Sequence, residues 1–244
     1  MTPRILITGG SGRLGTELRA QLPELIAPTS RELNITDAEQ VHAVLKGERP
    51  NVVVHAAAYT NVSQAESEHA RCWAVNVEGT RHIDRACNEI GAKFVHISTD
   101  YVFDGIKGHY RETDVPGPVV NYYSLTKIIA EEAARSSRRY LVIRTSFRPR
   151  EFQYPVAFSD VYTGQDYIDI IAPLLAEVII HAEDLSDQIL HVVTERKSVY
   201  DLARRRNPSI QEGRRSDAAV TLPADVSLNT DRWQALRASW LPQG

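Results

Sequence analysis

A chain of 244 residues, 43% hydrophobic and 24% charged, is long enough to bury a sizeable core as one domain, or as one domain with a smaller lobe. A formal net charge of −3 gives no electrostatic reason to expect a nucleic-acid or membrane partner, and the arginines of 135–139 and 204–206 read as solvated helix ends. No apolar run is long enough to span a bilayer, no signal peptide precedes the first strand, and Cys72 and Cys87 lie too far apart on one expected helix to pair; a cytoplasmic, reducing setting with no metal site is expected.

Ile5-Leu6-Ile7-Thr8 is a short β-branched apolar run of the kind buried on both faces of a parallel sheet. It leads into Gly9-Gly10-Ser11-Gly12-Arg13-Leu14-Gly15 and then into helical periodicity through Leu14, Leu18 and Leu22. Strand, glycine turn and helix together make the context of a dinucleotide site. Gly9 permits the tight turn, Gly12 the approach of backbone to a pyrophosphate, and Gly15 close packing of helix on strand. The helix N-terminus offers unpaired N–H groups to the phosphates, with Ser11, Arg13 and Leu14 completing the cradle. A second strand is expected over 24–28. An NAD enzyme would carry an acid about 20 residues past the glycines. Thr29-Ser30-Arg31 stands there instead, followed by Asn34 and Ile35. Arginine beside serine suits a 2′-phosphate, and Arg13 can join them, so NADP(H) is favoured over NAD(H).

A helix opens at Thr36-Asp37-Ala38-Glu39 and reaches residue 46. The third buried strand, 51–56, ends in Ala56-Ala57-Ala58-Tyr59-Thr60, small residues that let a planar cofactor pass close to the backbone. His55 reads as a satisfied core histidine. One long helical region is expected from 65 to 90, with Asn76 as a polar residue on an otherwise apolar face. The fourth strand, 93–98, ends in Ser98-Thr99-Asp100-Tyr101-Val102-Phe103-Asp104-Gly105, which sets hydroxyls at the carboxyl edge where ligands sit in open α/β sheets. In the helix that follows, Tyr123 and Lys127 are four apart and share a face. An ammonium beside a phenol favours phenolate and yields an acid that works near neutral pH. A fifth strand covers 140–145. Arg148 and Arg150 then open a loop rich in aromatics, from Phe147 to Tyr167, at the same edge; they are candidates for holding the phosphates of a substrate. A helix over 167–182, a strand over 188–193, a helix over 199–206 and an amphipathic piece over 225–240 complete the chain.

Thr8-Gly9-Gly10-x-Gly12-x-x-Gly15, Val75-Asn76-Val77-x-Gly79-Thr80, the 98–105 stretch and Tyr123-x-x-x-Lys127 stand in one order, and this resembles the extended short-chain dehydrogenase/reductases. Within them the chain is most similar to the dTDP-4-dehydrorhamnose reductase family. The Ser98–Gly105 wording carries that likeness, as do Ala56-Ala57-Ala58-Tyr59-Thr60-x-Val62-x-x-Ala65-Glu66 and 225–233. The likeness is close over 4–146, patchy to 195 and faint at the C-terminus. It implies an α/β, Rossmann-like doubly wound parallel sheet with a small C-terminal substrate lobe. The dinucleotide-binding domain would be 1–146 and the reduced lobe 147–244, with about 167–193 returning to the sheet.

The resemblance also implies a catalytic group of Thr99, Tyr123 and Lys127. Lys127 would hold the nicotinamide ribose and lower the Tyr123 pKa, Tyr123 would protonate the substrate oxygen, and Thr99 would hydrogen-bond that oxygen. Ala56, Ala57, Ala58, Tyr59 and Asn76 would border the cofactor, NADP(H) first and NAD(H) second, while Ser98 and Tyr101 would face the substrate. Three departures stand out: Ser63 replaces an acid usual in the family, Phe147-Arg148-Pro149 replaces W-V-Y, and the chain is shorter in its substrate lobe. The expected function is reduction of a nucleotide-activated 4-keto sugar. Epimerisation or dehydration with retained cofactor, or a non-catalytic NADP-binding regulatory role, are the alternatives, and a homodimer is left open.

Overall fold

The computed structural model describes residues 3–186, 188–218 and 221–240. The chain runs through β1 (Ile5–Thr8), α1 (Arg13–Gln21), α2 (Ala38–Glu48), β2 (Val52–His55), α3 (Val62–Ala65) and α4 (His69–Trp73). A π-helical turn (Ala74–Glu78) leads into α5 (Gly79–Ile90), followed by β3 (Lys93–Thr99), α6 (Tyr122–Arg135) and β4 (Tyr140–Thr145). Then come β5 (Phe147–Arg148), β6 (Val156–Phe158), β7 (Tyr162–Thr163), β8 (Asp166–Tyr167) and α7 (Ile168–His181). Last are β9 (Gln188–His191), β10 (Lys197–Ser198), α8 (Val199–Arg204), β11 (Gln211–Gly213) and α9 (Asp231–Trp240).

β1, β2, β3, β4 and β9 form one parallel sheet in that order. Their apolar runs are continuous because both faces are covered. Ile7, Val54, Val95 and Ile143 point to the side packed by α1, α7 and Trp233 of α9. Leu6, Val53, Phe94 and Val142 point to the opposite side, packed by α2 and α5. Leu6 and Ile7 are wholly buried, so cutting either to Ala would leave a cavity worth about 2–5 kcal/mol. The fold is Rossmann-like.

On the outer side of β1 the expected second strand contracts to one parallel bridge between Leu6 and Ile26. Pro23 and Pro28 bracket it; neither can donate to a ladder, which limits its length. From this edge the chain crosses to β2 on the other side of β1. The switch of direction opens a crevice at the carboxyl ends of β1 and β2.

The long helical region expected over 65–90 is unbroken from His69 to Ile90 as α4, the π turn and α5, with α3 a separate turn before it. Other expected elements fall within about two residues of their observed ends, except the last, where only Asp231–Trp240 of the piece over 225–240 is helical. Apart from β9, the strands beyond β4 are short pairs: β5 with β8, β6 with β11, β7 with β10. The arginines of 204–206 are not simply solvated. Arg205 pairs with Asp166, and Arg206 pairs with Asp169 at 2.7 Å while lying over the Tyr167 ring. Cys72 and Cys87 are free and buried. Among the described residues no helix is long and apolar enough to cross a membrane, and no three His, Cys, Asp or Glu gather to hold a metal ion.

Candidate active site

The glycine turn packs against the end of β2. Gly9 has φ +73°, and a Cβ there would sit 2.8 Å from the Ala57 nitrogen, so both conformation and space require glycine. A Cβ on Gly15 would fall 2.3 Å from the Gly9 carbonyl oxygen; the first turn of α1 therefore lies directly on the loop. Gly12 is the N-cap of α1 and has no side chain to cap it, which leaves first-turn N–H groups available to an anion.

This turn forms one end of a cleft of about 610 Å³. Ser11, Arg13, Leu14, Ser30, Asn34, Ile35 and the alanines 56–58 line it beside the glycines. Ser98, Thr99, Tyr101, Tyr123 and Lys127 line its other end. Arg31 is exposed and outside the lining. Tyr59 and Asn76 are also outside it. The Asn76 amide is spent on protein: its Oδ1 accepts from the Tyr59 N–H at 2.7 Å, and its Nδ2 donates to the Tyr59 carbonyl and the Thr126 hydroxyl, at 3.1 and 3.0 Å. The π turn carries that amide to the loop, so Asn76 braces the 56–59 wall instead of touching what lies within it.

α6 starts at Asn121, whose side chain accepts from the Ser124 N–H at 2.7 Å, while Glu66 accepts from the Tyr122 N–H at 2.7 Å. These caps fix the helix end, and Tyr123 and Lys127 are both buried on its inner face. Lys127 Nζ donates to the Ile97 carbonyl at 2.9 Å and lies 3.2 Å from His96 Nε2. Burial lowers its pKa to about 8, against the opposing pull of Glu131. The Tyr123 phenol moves the other way from the expectation. Burial is the largest cause and pushes its pKa up, Asp100 adds to the rise, and a Thr99 hydrogen bond opposes it. Among protein groups alone, Tyr123 is therefore a protonated donor at neutral pH.

Thr99 Oγ1 accepts from the Tyr101 N–H at 3.2 Å and donates to Asp100 Oδ1 at 3.1 Å. Asp100 lines the cleft, is 2% exposed, and burial raises its pKa to about 6. The motif 98–105 displayed Asp100, but only its depth gives it weight. Ser98 lines the cleft, but its hydroxyl is engaged by protein: it donates to Glu131 at 2.5 Å, within a buried pair of Glu131 and Arg144 at 2.8 Å. Gln165 has no signal in the sequence, because it lies in an irregular stretch without a motif. It borders the cleft and donates to the Ser146 hydroxyl at 2.9 Å. His55 is satisfied in the core, 2.8 Å from Thr8 and 3.2 Å from Thr80.

A second cleft of about 1010 Å³ adjoins the first, sharing Arg13, Asp100, Tyr101, Phe147 and Gln165 with it. Arg148 lies in its wall, with its guanidinium 5.0 Å from the Phe152 ring centre and 5.9 Å from that of Tyr154. Its buried Nε has no hydrogen-bond partner among the described residues. Arg150 lies outside both linings and is instead paired with Glu17 of α1 at 3.0 and 2.8 Å. The two arginines do not form one group.

A parallel sheet, a glycine cradle and a Tyr-x-x-x-Lys helix facing a strand-end Thr define an extended short-chain dehydrogenase/reductase. Residues 3–205 match the RmlD substrate binding domain, and the chain belongs to that family. It is 38% identical over 156 residues to the dTDP-4-dehydrorhamnose reductase of Aggregatibacter actinomycetemcomitans, covering 61% of this chain and 53% of that protein. With the enzyme of the same name from Streptomyces griseus it shares 45% identity over 136 residues, 54% of this chain and 44% of that one. The chain spans about half the length of the curated relatives it matches. The solved dTDP-4-dehydrorhamnose reductase of Bacillus anthracis, in complex with NADP, superposes with a TM-score of 0.84 at 27% identity, covering 100% of this chain and 94% of that one.

Proposed function

We propose that this chain is an NADP(H)-dependent reductase of a nucleotide-activated 4-keto sugar. One observation carries the reading: Thr99, Tyr123 and Lys127 share a cleft with the glycine cradle, next to a second cleft walled by Arg148. The cradle fits a dinucleotide, since Gly9 and Gly15 leave room only for backbone and the α1 N-terminus faces the cleft. Arg13 and Ser30 are the lining groups suited to a 2′-phosphate, which favours NADP(H) over NAD(H). NADPH, when bound, supplies a hydride. Tyr123 gives its hydroxyl proton to the sugar's carbonyl oxygen, and its raised pKa keeps that proton in place beforehand. Lys127 holds positive charge beside the cofactor ribose, and Thr99 orients the same oxygen. Arg148, with Phe152 and Tyr154, serves the substrate's phosphates or base. In this scheme residues 3–146 with 168–193 carry the chemistry, and the short strand pairs carry recognition.

The activities for which the relatives are named support the sugar-nucleotide class. The test is oxidation of NADPH by purified protein in the presence of dTDP-4-keto-6-deoxy sugars, followed by product analysis. Turnover with NADPH well above that with NADH is expected. NADPH binding without oxidation by any such sugar would overturn the reductase reading in favour of a cofactor-binding regulator.

A further inference from the structure

Lys127 has three ammonium hydrogens, and protein groups account for two of them. One goes to the Ile97 carbonyl at 2.9 Å, and the second lies toward His96 Nε2 at 3.2 Å. The third is left on the side where Lys127 lines the cleft. His96 is at the centre of β3, 1% exposed, in register with His55 of β2 and Val142 of β4. An ammonium can only donate, so Nε2 must accept, and the imidazole proton is forced onto Nδ1. Nδ1 is buried and has no partner among the described residues. A side chain serving only to fill this space would be aliphatic, since a stranded N–H costs about 1–3 kcal/mol.

We propose that His96 is a positioning residue for Lys127: a neutral imidazole with its proton on Nδ1, whose Nε2 lone pair anchors the ammonium and leaves a single N–H for the cleft. A neutral acceptor suits that task better than a carboxylate, which would cancel the charge that Tyr123 and a ribose are to feel. Other groups around the pair fit. Glu131 and Tyr123 lie on α6 with Lys127, Cys72 faces it from α4, and the His55 ring lies 5.6 Å from that of His96, tilted by 37°. Asp100 lies beyond the end of β3 beside Tyr123. Burial, Lys127 and His55 all hold His96 well below the usual imidazole range, so it stays neutral.

The first measurement is the ¹⁵N spectrum of histidine-labelled wild-type protein between pH 6 and 8. His96 should show an unprotonated Nε2 and a protonated Nδ1 throughout. A proton on Nε2, or an imidazolium, overturns the proposal. This arm is independent of the reductase reading. The second arm rests on that reading and follows kcat against pH for His96→Leu and His96→Gln. The wild type should lose activity as pH rises through about 8, where Lys127 gives up its proton. Leu removes the acceptor, so that limb should move to lower pH by about one unit, the worth of a hydrogen bond to a charged group. Gln restores an oxygen acceptor and should return the limb toward its wild-type position. A merely structural role would lower stability in both variants and move neither limb. A folded His96→Leu variant with the wild-type limb overturns the proposal. If Leu does not fold, the wild-type spectrum decides. If no sugar is reduced at all, the function fails while the tautomer still stands or falls by its spectrum.

Discussion

On the sheet, Leu6 and Val53 meet α2 and α5 while their neighbours Ile7 and Val54 meet α1 and α7, so each strand is clamped from both sides by side chains with no freedom to move. Past β4 the means change. Ala157, Val161, Val199, Ala203 and Ile210 form a small patch, and much of the remaining hold is ionic: Arg150 to Glu17, Arg206 to Asp169, Arg196 to Asp225. Packed apolar cores have few alternative arrangements, whereas partly exposed ion pairs are worth little each and can be traded. Tyr123, Lys127 and Thr99 stand on the first kind of support, and Arg148 stands on the second. Under the proposed function, chemistry that needs tenths of an ångström sits on the sheet, and recognition that must change with the substrate sits on the part that can.

The largest test of this contrast is Tyr123→Phe. It keeps the ring in the Ala65–Cys72 pocket but removes the transferable proton. Turnover should fall by about 10²-fold or more, with NADPH affinity measured by fluorescence titration unchanged. A large loss of NADPH binding instead would mean that the sheet side does not separate chemistry from binding. Asp100→Asn comes next and reads stability. Holding a carboxyl at about 6 rather than 3.8 means that the native state binds more protons between those values, so its stability falls as pH rises through that window. Removing the charge should therefore stabilise the protein at pH 7 by up to about 3 kcal/mol, and by almost nothing near pH 4. Thermal melts at the two pH values check it; equal gains at both would assign the effect to packing.

Smaller changes are expected on the ionic side. Arg148→Ala should raise KM for the nucleotide sugar about 10-fold, the loss of one charge-assisted contact, and leave the Kd for NADPH alone. Arg150→Ala should leave KM unchanged and cost less than about 1 kcal/mol in denaturant melts, as for other exposed pairs. An equal rise in KM for both would show that the loop acts as one unit, contrary to its geometry.

The sheet was legible because its signals are local. Ile5-Leu6-Ile7 and Val52-Val53-Val54 state their burial in consecutive letters, and the glycines of 9–15 state the turn. The Tyr123–Lys127 spacing on one buried helix face was legible for the same reason. What escaped depends on distance along the chain. Arg150 meets Glu17 across 133 residues, so nothing near Arg150 distinguishes it from Arg148. The strand over 24–28 reads as apolar, yet two prolines reduce it to one bridge. The neighbour of Tyr123 at i+4 predicts a lowered pKa, but depth of burial, which no spacing reveals, raises it. Asn76 reads as a polar residue on an apolar face, but the widened turn that gives it its partners has no signature in the letters around it.

That widened turn bears on how the chain can gain or lose residues. A π turn holds one residue more than the α-helical path between the same two ends, so the segment Ala74–Glu78 amounts to a single-residue insertion absorbed in place. Deleting one residue there should let α4 and α5 join as one regular helix, with Ile83 and Cys87 still seated on the sheet. The backbone of Tyr59 would lose its amide partner. A one-residue deletion should thus pass a test of folding by circular dichroism and fail a test of NADPH binding, making this the place in the helix where length itself is set by the loop across from it.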